Sequence, residues 1–253
     1  MKSKLWIIPA LVLCIVSCLA FTACGDNGPT VQLEKAELDL KYVAATEGVA
    51  EHFDVLGVVE GDTNKNLIIP DTIVGPAPMI DGETGQVLKD EAGNDVMGER
   101  ELPITGIVTR AFYNNTAIET IEIGNNVTSI GDRAFDNCTS VKTLTIGTGI
   151  QNIPEKAFLN CSSITSVVIP KTVKSIGISA FEGCTSLSEI TFEDEGLTSI
   201  ATRAFYGCAA IEEIKIPKSV TFIDVDAFAL CEKILDRATK EEQGLTVFAD
   251  SIT

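Results

Sequence analysis

The dipeptide Ala-Phe recurs at Phe112, Phe135, Phe158, Phe181, Phe205 and Phe228, at intervals of 23, 23, 23, 24 and 23 residues. A fixed period of this length means one supersecondary unit copied along an axis. A unit so short cannot bury its own apolar side, and it is stable only against neighbours that align the same side chains with it. Three residues after the phenylalanine stands a cysteine in five units, Cys138, Cys161, Cys184, Cys208 and Cys231, with Asn115 in the first. Three further on comes Ile118, Val141, Ile164, Leu187, Ile211 or Ile234.

The first five units continue with a period-two pair: Ile121/Ile123, Leu144/Ile146, Val167/Ile169, Ile190/Phe192 and Ile214/Ile216. Alternation of β-branched residues over so few positions describes a short strand with one buried face. Gly124, Gly147, Pro170 or Pro217 follows that strand in four units, and neither residue type continues a ladder well, so the chain turns. A second apolar pair closes each unit: Val127/Ile130, Ile150/Ile153, Val173/Ile176, Leu197/Ile200 and Val220/Ile223. The expected fold is mainly β, a right-handed solenoid of about six 23-residue coils over 104–235 with a continuous core.

Solenoid ends expose an apolar face and need atypical covers. Residues 31–74 read as an N-terminal β cap with a degenerate leading repeat, Leu67-Ile68-Ile69-Pro70 resembling one more strand and turn. Residues 236–253 are expected to close the other end with a helix and then a strand, Leu245-Thr246-Val247-Phe248. Between them, 75–103 is an acidic, Gly-rich insertion in the leading repeat. There Gln86-Val87-Leu88 and Val96-Met97 are expected to pair as a projecting hairpin about a Gly93-Asn94 turn.

The unit is similar to that of the BspA-like leucine-rich repeat family of bacterial and protozoan surface proteins, with Ile176-Gly177, Ala180-Phe181, Cys184, Leu187 and Ile190 carrying the match. The resemblance implies a leucine-rich-repeat solenoid that binds a protein or glycoprotein ligand, host matrix included, in an adhesin-like role. A structural or accessory envelope protein that scaffolds others, or presents a glycan-binding surface, is the alternative.

The first residues read as an address. Met1-Lys2-Ser3-Lys4 is a basic start, Leu5 to Ala20 is nearly all apolar, and Phe21-Thr22-Ala23-Cys24 resembles a bacterial lipobox. On that resemblance 1–23 is a lipoprotein signal peptide, Cys24 is lipidated, 24–30 is a tether, and the protein is exported and anchored at the cell surface or envelope. Phe21 stands where Leu is usual. Ile15-Val16-Ser17-Cys18 also fits, but cleavage there would leave Leu19-Ala20-Phe21 exposed; an uncleaved span over Leu5 to Ala23 is the other reading.

Net charge is −17, and loss of Lys2 and Lys4 with the leader takes it to −19. No Lys/Arg cluster is present, so nucleic-acid binding is not expected. The single histidine, His52, lies in the cap, so Ser-His or Cys-His catalysis in the repeats has no base and no catalytic residue is expected. The repeat cysteines run one per coil along a line, which does not converge on a metal. Coils about 4.8 Å apart would permit disulfides. Yet five is odd and each thiol suits a small buried site, so free thiols are expected. No cofactor is expected beyond weak calcium binding by the carboxylates of Asp81 to Asp95, which lack the EF-hand order.

If Ile121 and Ile123 point inward, the strand ladder presents Thr120, Glu122, Thr143, Thr145, Ser166, Val168, Glu189, Thr191, Glu213 and Lys215 outward. That face is the expected partner-binding surface. Its flat area, on the order of 300 Å², is well below the roughly 800 Å² per partner of a standard interface, so a stable complex would recruit further surface.

Overall fold

The computed structural model describes residues 37–46, 49–82, 84–193 and 196–231. The signal peptide, Cys24, the tether and the C-terminal cap expected over 236–253 lie outside the described residues. In chain order the strands are β1 (Leu38–Val43), β2 (His52–Val58), β3 (Asn66–Ile69), β4 (Thr72–Pro78), β5 (Met97–Ile107), β6 (Thr120–Ile123) and β7 (Ser129–Ile130). There follow β8 (Thr143–Thr145), β9 (Asn152–Ile153), β10 (Ser166–Ile169), β11 (Ser175–Ile176), β12 (Glu189–Phe192), β13 (Ser199–Ile200) and β14 (Phe222–Ile223).

These strands build a solenoid. One parallel sheet runs β12-β10-β8-β6-β3, and a second parallel ladder of two-residue rungs runs β14-β13-β11-β9. The expected alternation holds along the first: Ile121, Ile123, Leu144, Val167, Ile169 and Ile190 are buried while the residues between them face out. The degenerate Leu67-Ile68-Ile69 segment is the leading rung, in register with the next coil at Asn66↔Thr120 and Ile69↔Ile123. At the other end, residues 213–216 keep Ile214 buried but form no strand. Their only described neighbour rung is β12, which precedes the one-residue insertion, and a rung paired on one side gains half the ladder bonds of an internal one.

The Ala-Phe turns stack as a column. Successive rings from Phe112 to Phe228 lie 5.0, 5.2, 5.2, 5.3 and 5.3 Å apart, none more than 14° from parallel. The backbone beside them is a ladder of its own: Phe135 N–H donates to Ala157 O at 2.9 Å and Phe158 N–H to Ala180 O at 2.8 Å. Each turn needs two residues in the left-handed region. One lies two before the phenylalanine (Arg110, Arg133, Lys156, Ser179, Arg203, Asp226) and one two after it (Asn114, Asn137, Asn160, Gly183, Gly207, Leu230). Asn and Gly, which tolerate that conformation best, occupy the later position in five coils of six.

All five repeat cysteines are buried free thiols. Each Sγ donates to the carbonyl of the phenylalanine one coil back: Cys138 to Phe112 at 3.1 Å, Cys161 to Phe135 at 3.1 Å, and Cys184 to Phe158 at 3.3 Å. Cys208 and Cys231 repeat the bond to Phe181 and Phe205 at 3.2 Å. The carbonyl of Phe135 thus serves twice, accepting the N–H of Cys138 at 3.2 Å and the thiol of Cys161. The column therefore uses cysteine as a small apolar filler that also satisfies a buried acceptor.

Burial pushes the thiols of Cys184 and Cys231 up to about 12 from 9.0. The folded state keeps protons that the unfolded chain releases above pH 9, so this stabilisation is complete below pH 9 and erodes as pH rises towards 12. Residues 25–253 should show no reaction with a thiol reagent at pH 7 while native and five reactive thiols in denaturant. The urea midpoint should fall between pH 9 and 11. Rapid labelling of the native chain, or a midpoint flat across that interval, would contradict the burial.

At the N-terminal end β1-β2-β5-β4 form a mixed sheet, with β7 pairing β5. The last residues of β5 pair in parallel with β7, the short rung of the next coil, at Gly106↔Ser129 and Ile107↔Ile130, so the insertion splits the leading coil between its two rungs. The expected hairpin closes about the Gly93 turn, with Val96 N–H on Leu88 O at 2.9 Å and an antiparallel Lys89↔Asp95 bridge, and below it runs a longer stem that was not expected. That stem is β4 against β5, in register from Thr72↔Pro103 to Pro78↔Met97. Gln86 to Leu88 also fold back on the residues after β4, with an Ile80↔Val87 bridge and Leu88 N–H on Met79 O at 2.8 Å. The turn at Gly93, with φ of 83°, lies where expected.

Candidate functional site

The ladder face is a grid fixed by parallel register. Ser166 stands beside Thr143 and Glu189, and Val168 beside Thr191; Thr120 and Glu122 stand beside Thr143 and Thr145. Glu122, Thr143, Thr145, Ser166, Val168, Glu189, Thr191, Glu213 and Lys215 are all exposed. Thr120 is half-buried, its hydroxyl bonded to Asn66 Oδ1 at 2.9 Å. The leading rung adds Asn66 and the half-buried Ile68 to the two outward columns, an extension missed from sequence although Leu67-Ile68-Ile69 carries the alternation.

Hydroxyls on neighbouring rows are used internally. Ser163 donates to Thr139 O at 2.6 Å, Ser188 to Thr165 O at 3.2 Å and Thr198 to Lys174 O at 2.9 Å, each tying one coil to the one before. The hydroxyls of Thr143, Thr145, Ser166 and Thr191 make no such bond to other described residues. With Val168, 46% exposed, they form an uncharged centre. Charge is kept to its margins. Glu189, Glu213 and Lys215 lie downstream, and upstream Glu119 is held between Lys65 and Lys142, the latter at 2.7 Å. Those two ammonium groups, Lys142 first, hold the Glu119 carboxyl down at about 2, so the upstream margin stays ionised across the acidic range.

A second polar assembly, also missed from sequence, joins insertion to cap. Arg100 presents its guanidinium fork to the Glu51 carboxylate, with Nη1 on Oε2 at 2.8 Å and on Pro78 O at 3.1 Å, and Tyr42 OH donates to the same oxygen at 2.9 Å. Arg100 draws the Glu51 carboxyl below its usual range, and burial pushes the Tyr42 phenol up. At the tip Asp90 Oδ1 accepts N–H groups of Ala92 and Asn94, both at 2.9 Å, and Asp81 Oδ1 accepts from Thr84. These carboxylates cap turns. Among the described residues no three His, Cys, Asp or Glu side chains gather where a metal ion could sit. Among the same residues no helix is long and apolar enough to cross a membrane.

The stacked phenylalanines, the thiol column and the two-rung coils occupy one stretch, and a model of the BspA type leucine rich repeat region matches residues 105–235 there in six copies. The chain belongs to the BspA-type leucine-rich repeat family. Among solved structures, the T. pallidum leucine rich repeat protein is similar at 21% identity and TM-score 0.51, over 79% of this chain and 91% of that one. A leucine rich cell surface protein from Faecalibacterium prausnitzii A2-165 is similar at 24% identity and TM-score 0.50, over 78% and 52%. With these two the chain shares the leucine-rich-repeat fold. A leucine-rich repeat protein from Eubacterium ventriosum is 35% identical over 49% of this chain with TM-score 0.47, and this chain spans about a third, 34%, of its length. A search of curated proteins finds no significant match.

Proposed function

We propose that the protein is a cell-surface lipoprotein, anchored through Cys24, whose BspA-type solenoid binds a protein or glycoprotein ligand on the ladder face. The observation that carries the reading is the uncharged, hydrogen-bond-competent centre of that face, Thr143, Thr145, Ser166, Val168 and Thr191, bounded by charge. Depletion of charge at the centre with a polar rim is the anatomy of protein interfaces. Rungs locked in register present it rigidly, so little side-chain and loop entropy is lost on binding. The F. prausnitzii protein of the same fold is described as a cell surface protein. Binding of this kind requires no catalysis, and no catalytic activity is expected.

The test immobilises residues 25–253 and measures binding of host matrix glycoproteins and bacterial surface preparations, with and without calcium. A variant carrying Glu122→Ala, Thr145→Ala, Thr191→Ala and Lys215→Ala runs alongside. Saturable binding that falls at least about tenfold in the variant is expected, since four contacts at interface average exceed 1.4 kcal/mol together. Equal binding by the variant removes the ladder face from the reading. No binding to any preparation leaves a scaffold among envelope proteins as the role.

A further inference from the structure

We propose that the outer face of the β4–β5 hairpin is a second docking surface, taking a short cationic, apolar-sided segment of a partner protein. The proposal stands on the protein working by binding but not on the ladder face. The hairpin is two-sided. Gly75, Ala77 and Leu102 are buried on its inner side, where a Cβ on Gly75 would lie 2.9 Å from the Phe53 ring. Its outer side exposes Thr72, Val74 and Pro76 on one strand and Met97, Glu99 and Glu101 on the other, with Val74 49% and Met97 54% exposed. Register places Val74 beside Glu101 and Pro76 beside Glu99, so apolar contacts run between carboxylates.

Three features select the occupant. Both cations of the insertion are engaged, Lys89 with Asp95 and Arg100 with Glu51, so the outward field is that of the acids and favours a cationic partner. The outer edge of β4 contains Pro76 and Pro78, which have no N–H to donate, so a partner strand cannot extend the sheet there and contact must be made through side chains on the face. Seven paired positions at about 3.4 Å, two strands wide, give on the order of 200 Å², which suits one linear segment and is too small for a globular partner. The Arg100 fork on Glu51 fixes the hairpin against the cap, so this face is presented rather than loosely tethered. Met97 adds an adaptable side chain at its end.

The experiment measures fluorescence anisotropy of an alternating Lys-Leu peptide, with a Glu-Leu peptide of equal length as control, against the full chain. The variants are Val74→Ser/Met97→Ser, Glu99→Gln/Glu101→Gln and, on the ladder, Val168→Ser; all five positions are exposed, so folding is retained. The Lys-Leu peptide should bind, weaken about tenfold in each hairpin pair and not in Val168→Ser. Unchanged affinity in both hairpin variants, equal binding of the Glu-Leu peptide, or no binding overturns the proposal. Loss confined to Val168→Ser would also overturn it while sparing the ladder face.

Discussion

Phe158→Ala lowers the free energy of unfolding by about 4 kcal/mol, and Phe112→Ala by clearly less. Phe158 has no exposure and is stacked on both sides, 5.2 Å from Phe135 and 5.2 Å from Phe181. Phe112 opens the column and stacks only on Phe135. The cost of a large-to-small change grows with the cavity that survives it. Here the neighbouring coils cannot close in, because the backbone bonds Phe135 N–H to Ala157 O and Phe158 N–H to Ala180 O hold their spacing independently of the ring. A void in the middle coil also weakens its contacts with both neighbours, and in a one-dimensional array that lowers the coupling of the two halves. Urea unfolding should therefore show a lower midpoint and a reduced m-value in Phe158→Ala. Equal losses at Phe112 and Phe158 would mean that burial alone matters and that two-sided stacking contributes nothing.

The repeat was legible because a solenoid asks the same thing of every coil: Ala-Phe, the cysteine and the alternating pair recur at fixed offsets, and all are buried except Ala111, Phe192 and Ile216, which are partly so. The left-handed residue after each phenylalanine was equally open to reading, being Asn or Gly in five coils. The one before it was not. Arg133 and Lys156 are held at φ of 57° and 56° by coil-to-coil bonds, Arg133 N–H to Glu155 O and Lys156 N–H to Ile178 O, and nothing in an Arg or Lys announces that conformation. The β4 half of the insertion's stem was hidden for a related reason. Gly75, Pro76 and Pro78 argue against a strand at 72–78, but β4 is an edge, where a missing N–H leaves no partner unsatisfied.

For the surface, the phase of alternation placed the outward ladder residues, since period two admits only two faces. What it could not supply were contacts between residues far apart in sequence. Glu51 and Arg100 lie 49 positions apart, and Lys65 and Glu119 lie 54. The latter became adjacent only because β3 pairs β6 across the whole insertion. Had Asn66 been aligned with Thr120 at the outset, the row Lys65, Glu119, Lys142 would have followed, each standing one residue before an outward strand position.

Gly147→Ala should destabilise the fold by about 2 kcal/mol, whereas Gly82→Ala should be neutral or stabilise by up to roughly 1 kcal/mol. Neither glycine has a positive φ, so the contrast is one of space. A Cβ on Gly147 would lie 2.1 Å from Gly124 O, 2.6 Å from Gly124 C and 2.7 Å from Ile123 O. All three atoms are backbone, fixed by the turn that closes the preceding coil, and none can swing aside as a side chain could. Pro170 and Pro217 occupy the equivalent place in later coils, so a side chain at this turn is not forbidden as such. The restriction comes from the close nesting of these two coils, which Gly149 shares, its Cβ falling 2.3 Å from Asn125 O and 2.4 Å from Val127 O. A Cβ on Gly82 would meet nothing within 4 Å beyond its chain neighbours, and a methyl there only narrows the unfolded ensemble. Thermal melts of the two variants decide the matter. A Gly147→Ala midpoint matching that of the parent would show that the coils separate at little cost, and the solenoid would then be softer along its axis than its backbone ladders imply.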